Sequence, residues 1–141
     1  MALLDNAVDA LLAKDNDWNA LSESEQELAA LWKLEMDINN GGFMQFFCNW
    51  GVEGYRHAVR GLARVGADQL LAIVQQQYEL MNQVYGRCRE NIENYWDLPK
   101  HFTDSEMTEL DQLDEAYWEY PDNLEQLGLA CYSKPEGVRD L

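Results

Sequence analysis

Apolar residues recur along the chain at steps of three and four, and alternating strand-like runs are absent. That is the periodicity of helices with one buried face. Leu4, Val8, Leu11 and Leu12 predict a first helix over about residues 2–14, broken by Asp15-Asn16-Asp17. Ser22 and Glu25 have the spacing of a capping box, in which each side chain satisfies a free amide of the first turn. A second helix, about 23–39, follows with Leu28, Leu31, Trp32 and Ile38 on its apolar stripe. Asn40-Gly41-Gly42 predicts a stop, because glycine tolerates the positive φ of a tight reversal. Phe43, Phe46, Phe47 and Trp50 then form one aromatic face of a short third helix bounded by Gly51 and Gly54, and a fourth runs over about 54–65 to Gly66.

Asp68 is the expected cap of a longer element. Leu71, Val74, Tyr78, Met81, Tyr85, Cys88, Ile92 and Tyr95 step by 3,4,3,4,3,4,3, which predicts one long helix over about 68–96, with Gly86 as the place for a kink or break and Pro99 as its end. Thr103 or Asp104 opens a helix to about residue 120, with Met107, Leu110, Leu113, Tyr117 and Tyr120 facing inward. A last helix, about 121–131, places Pro121 in its first turn, where a missing amide costs nothing. The tail from Ser133 reads as loose. The expected fold is therefore all-α: a single-domain bundle of six or seven helices spanning residues 1–141.

Composition narrows the function classes. Hydrophobic types make up 47% of 141 residues, enough for one buried core. No apolar run reaches the roughly 18 residues of a membrane helix, and the first ten residues carry Asp5 and Asp9 but no base, unlike a signal peptide. A cytoplasmic location with no membrane partner is the expectation. Cys48, Cys88 and Cys131 are odd in number and lack a C-x-x-C pair, so they read as reduced, mostly buried, small hydrophobes rather than a disulfide frame or zinc site.

The net charge is −16, from 26 acids and 10 bases. Such a field repels nucleic acid and anionic membranes and favours a basic partner. The charge is also uneven: residues 40–89 hold 3 acids and 5 bases, whereas residues 90–127 hold 12 acids and only Lys100. Asp104, Glu106, Glu109, Asp111, Asp114, Glu115 and Glu119 place seven carboxylates in 16 residues. At about 1.5 Å rise per helical residue this is about one charge per 3.4 Å, the axial charge spacing of one strand of duplex DNA. These seven residues are the candidate partner-binding set, and an ordinary solvated surface helix is the alternative. Arg56, Arg60 and Arg64 form a basic stripe that either pairs internally with the acidic flanks or meets a partner or a second subunit in a homodimer.

Catalytic chemistry is scarce. His57 and His101 stand in different elements, and no Glu-x-x-His, His-Glu-x-x-His or phosphate-binding glycine loop occurs. Asp15-Asn16-Asp17 resembles the start of a calcium loop, but Ala20 stands where a glycine is required and Gln26 where a bidentate carboxylate is required. No metal, no cofactor and no catalytic residue are expected.

The stretch Asn40-Gly41-Gly42-Phe43-Met44-Gln45-Phe46-Phe47-Cys48-Asn49 is similar to the signature of the DNA-mimic protein family, long known as a domain of unknown function. Glu35, five residues earlier, fits an acidic position of that family, and Leu110-Asp111-x-x-Asp114-x-x-Tyr117 resembles its acidic closing helix. The resemblance covers about residues 23–120. It implies an all-helical acidic protein that occupies the DNA-binding surface of a basic partner protein, without binding nucleic acid itself. An immunity-type inhibitor of a toxin is the alternative it implies. The motif itself, Asn40, Gly41, Gly42, Phe43, Gln45, Phe46, Phe47 and Asn49, reads as structural. Its aromatics have core spacing, and Gln45 and Asn49 stand at i, i+4, where they can bond the glycine turn or each other. A small enzyme with a cleft at this turn is the reading from another class; it requires a concave pocket with convergent polar groups there, whereas a mimic requires a convex acidic face.

Overall fold

The computed structural model describes residues 17–132 together with Asp9, which is helical; the rest of the expected first helix and the tail from Ser133 lie outside the described residues. Among these residues the secondary structure is entirely helical, with four α-helices and four single 3-10 turns. The helices are α1 (Glu23–Val65), α2 (Asp68–Cys88), α3 (Asp104–Trp118) and α4 (Leu124–Tyr132). No described helix is long and apolar enough to cross a membrane.

Among the described residues the helix count is four, against six or seven expected for the whole chain, because three predicted helices merge into α1 and most of the first falls in the part not described. The three follow one another without a linker: Gly41 (φ −148°, ψ 17°), Gly42 (φ 78°, ψ −179°) and Gly51 (φ 65°, ψ −157°) redirect the chain within a single helical run. The start of α1 is the expected capping box, with the Glu25 amide donating to Ser22 Oγ and the Ser22 amide to Glu25 Oε1. Gly66 closes it in the left-handed conformation.

Three boundaries differ from expectation, each because a distant group intervenes. First, Asp68 does not cap α2. Its N-cap is Ala67, and the Leu70 amide donates at 2.9 Å to the Asp122 carboxylate, 52 residues later. Second, with Asp122 engaged there, α4 starts at Leu124 rather than 121, and the Gln126 amide donates to Asn123 Oδ1. Third, α2 ends at Cys88 rather than 96. Beyond it the chain makes 3-10 turns at Arg89–Asn91 and Tyr95–Asp97, the second held by a capping box between Asn94 and Asp97. Ile92 and Tyr95 continue the apolar spacing but reach the core from these turns: the Tyr95 ring lies 4.9 Å from Phe47 and 5.7 Å from Tyr85.

The core sits where α1 folds back on itself and against α2. Leu34, Ile38, Phe43, Phe46, Leu62, Leu70, Met81 and Tyr117 are fully buried. α3 packs across α2 and α1, and α4 closes onto α1. On α3, Leu110 and Tyr117 point inward as expected, but Met107 is exposed, as is Tyr120 just past the helix end, and Glu106 and Asp114 take inward places instead. Of the cysteines, expected to be mostly buried, Cys48 and Cys88 are buried and Cys131 is exposed.

Candidate functional site

The motif helix begins where α1 bends. Gly42 carries no side chain because its positive φ is unfavourable for one, and because a Cβ there would stand 2.3 Å from Asp114 Oδ2. That close approach lets Asp114 cap the segment that follows: the Phe43 amide donates to Asp114 Oδ1 at 3.0 Å, and Gln77 Nε2 donates to the same oxygen at 2.8 Å. Burial pushes the Asp114 carboxyl up to about 6, and the two donated hydrogen bonds only partly offset this.

The polar residues of the motif converge on Asp37, a buried acid that the sequence reading did not single out. Gln45 Nε2 donates to Asp37 Oδ1 at 3.0 Å, and Asn49 Nδ2 and Trp50 Nε1 donate to Oδ2 at 3.3 and 3.2 Å. Asn40 Nδ2 donates to Gln45 Oε1 at 3.1 Å, tying the glycine turn to the motif helix. The one available signal was spacing, since Asp37 stands eight residues before Gln45 and 12 before Asn49. Phe43 and Phe46 are fully buried and Phe47 is 2% exposed, so the motif's aromatic rings are part of the core. Glu35 closes the arrangement by accepting a 2.6 Å hydrogen bond from the Tyr117 hydroxyl, and its burial raises its pKa.

The seven candidate carboxylates do not form one face. Asp104, Glu109, Asp111, Glu115 and Glu119 are exposed, whereas Asp114 and Glu106 are buried. Glu106 is enclosed by Arg87, whose two terminal nitrogens each reach a carboxylate oxygen at 2.8 Å, and by the Thr103 amide. Arg87 and Thr103 hold its carboxyl down at about 2. Glu109 lies with Glu79 and Gln83 beside a groove between α2 and α3. The outer row is therefore Asp104, Asp111, Glu115 and Glu119. Five exposed charges over 16 residues give about one per 4.8 Å, sparser than the phosphates of one duplex strand.

Two of the three arginines of the basic stripe are engaged internally. Arg60 and Arg64 pair with Glu27, which is fully buried, at 2.7 and 2.6 Å, and Arg64 also reaches Glu23. Arg56, at the other end of the stripe, is exposed.

Two groups with catalytic potential, His57 and Cys48, are buried. His57 is 8% exposed, both its ring nitrogens lack a partner among the described residues, and burial lowers its pKa. Cys48 donates its thiol to the Tyr95 carbonyl at 3.2 Å, and burial pushes it up to about 12. It is a hydrogen-bond donor and not a thiolate. No group of described His, Cys, Asp and Glu side chains is arranged to hold a metal ion.

A family model described as DMP19-like protein matches residues 19–134. The matched span contains the motif helix, its Asp37 and Asp114 anchors and all of α3. No curated protein and no solved structure matches the chain.

Proposed function

The chain belongs to the DMP19-like protein family, and from that premise we propose that it is a non-enzymatic acidic binding protein, a DNA mimic that occupies the basic DNA-binding surface of another protein. The observation that carries this reading is the outer row of α3. Asp111, Glu115 and Glu119 stand at i, i+4 and i+8, all exposed, and none has an ion-pair partner among the described residues. Successive members are about 6 Å apart along the helix axis. Nothing within the described chain neutralises them, so a cationic surface that meets this row gains every pairing. α3 is fastened from beneath by Glu106 to Arg87 and by Asp114 to Phe43, so the row is presented on a rigid support. Pre-organised charge loses little freedom on binding.

The test is affinity capture from host extract with the wild type and with a triple variant, Asp111→Lys, Glu115→Lys and Glu119→Lys, at low and high salt and with duplex DNA as competitor. The expected result is a DNA-binding protein retained by the wild type, released by salt because exposed pairs are screened over about 8–10 Å, displaced by duplex DNA, and lost by the variant. Equal retention by the variant, with no displacement by DNA, would make α3 an ordinary solvated surface.

A further inference from the structure

A second feature lies at the far end of the motif helix, where the Tyr95 ring covers Gly51. There a cleft of about 410 Å³ opens between the end of α2 and the 3-10 turns that follow it. This volume falls in the range of small-molecule sites, about 300–1,000 Å³. Its walls include Tyr85, Tyr95 and Trp96, its floor is Cys48, and it carries one cation, Arg89, and one anion, Glu93.

The cleft is built by the motif segment. Gly51 is bare because a Cβ there would lie 2.6 Å from the Tyr95 ring, which occupies that space. Cys48 holds the Tyr95 carbonyl. Asn49, whose amide nitrogen anchors on Asp37, accepts the Trp96 indole N–H at 3.3 Å. The Trp96 amide in turn donates to Asn94 Oδ1 at 2.8 Å. Trp96 is thus fixed at both its backbone and its indole while remaining 52% exposed. A large aromatic surface held rigid and left to solvent at a cleft is characteristic of a binding anchor.

The charges select the ligand. Arg89 and Glu93 are both exposed, and neither pairs with the other or with another described residue. Two unpaired opposite charges beside three aromatic rings match a molecule that brings one ring, one anion and one cation. A net anion would enter against the −16 field of the chain; a zwitterion carries no net charge and does not. We propose that this cleft binds a free aromatic amino acid, with its ring against Trp96 and Tyr85, its carboxylate at Arg89 and its ammonium at Glu93.

Isothermal titration calorimetry of the full chain with L-phenylalanine and L-tryptophan tests this, with L-leucine and N-acetyl-L-phenylalaninamide as controls. Both aromatic amino acids should bind saturably at one site. Leucine lacks the ring and the capped amide lacks both charges, and each should bind about tenfold more weakly or worse. Arg89→Ala and Glu93→Gln should each weaken phenylalanine binding about tenfold, and Trp96→Ala should remove it. Arg89 and Glu93 are exposed and make no ion pair among the described residues, so the circular dichroism and melting temperature of their variants should match the wild type. The proposal is overturned by the absence of saturable heat up to about 10 mM, tenfold beyond a millimolar affinity. It is equally overturned by leucine or the capped amide binding as well as phenylalanine, or by folded Arg89 and Glu93 variants that bind unchanged.

Discussion

The backbone N–H of Phe43 donates a 3.0 Å hydrogen bond to the carboxylate of Asp114, 71 residues away in sequence. This bond joins the two stretches that carry the family resemblance, the glycine turn of α1 and the acidic helix α3. It converts one of the acids of α3 from a surface charge into a cap on the motif helix. The Tyr117–Glu35 hydrogen bond makes a second tie between the same two stretches.

Gly42→Ala should therefore be strongly destabilising. The φ of 78° with ψ of −179° costs a non-glycine residue about 1–3 kcal/mol in strain, and the new Cβ would also displace the Asp114 carboxylate. Gly86→Ala is the control, because a Cβ there meets nothing within 4 Å in the body of α2. It should stabilise by about 0.5–1 kcal/mol. Urea unfolding midpoints should move in opposite directions; a harmless Gly42→Ala would show that α3 is not seated against the turn.

Asp114 should make the protein more stable as pH falls toward 4. Its native pKa of about 6 lies above the ordinary 3.8, so the native state binds this proton more tightly than the unfolded state. The destabilisation from the buried carboxylate is full above pH 6 and fades as pH drops through the interval to 3.8. The shift corresponds to about 2–3 kcal/mol. Protonation also supplies a donor next to Gln77, whose amide oxygen is buried and accepts no hydrogen bond among the described residues. Asp114→Asn should abolish this component. Melting temperatures from pH 4.5 to 7.5 should rise toward acid more steeply in the wild type than in the variant; parallel curves would contradict it.

Glu106 should act in the opposite direction and at lower pH. Arg87 and Thr103 hold it at about 2, below the ordinary 4.5. Its stabilisation is complete above pH 4.5 and is lost as pH falls from there through about 2. Wild type should lose stability over that interval, and Glu106→Gln, already weaker at pH 7, should lose less. Denaturant midpoints at pH 2.5, 4.5 and 7 decide it: an equal acid loss in both proteins would place the loss elsewhere.

Phe47→Ala should cost about 3–5 kcal/mol. The ring is 2% exposed and lies 4.9 Å from Tyr95 and 6.0 Å from Tyr78. The substitution removes the packing beneath the Tyr95–Trp96 turn as well as filling the core less well. An unchanged unfolding midpoint would mean that this aromatic face is a surface.

Much of the fold was legible because its causes are local. The all-helical class follows from three-and-four spacing, and the Ser22–Glu25 box from two side chains three residues apart. The burial of Phe43, Phe46 and Phe47 follows from a stripe on one helical face. The turns at Gly41-Gly42 and Gly51 were legible for the same reason, since positive φ is a property of a single residue.

Tertiary structure decided which charges are surface and which are skeleton. Asp37, Glu27, Glu106 and Asp114 look no different in sequence from Asp111 or Glu115. Each is buried because donors from another segment meet it: Asn49 and Trp50 for Asp37, Arg60 and Arg64 for Glu27, Arg87 for Glu106, and the Phe43 amide for Asp114. A carboxylate can leave water only where such partners replace its hydration, and the three-and-four spacing of one helical face carries no information about groups 12 to 71 residues distant. The end of α2 has the same origin. The apolar steps run on through Ile92 and Tyr95 without a break, but the room for Tyr95 beside Gly51 and Phe47 exists only once α1 has turned, so contact with another element set the place where the helix stops.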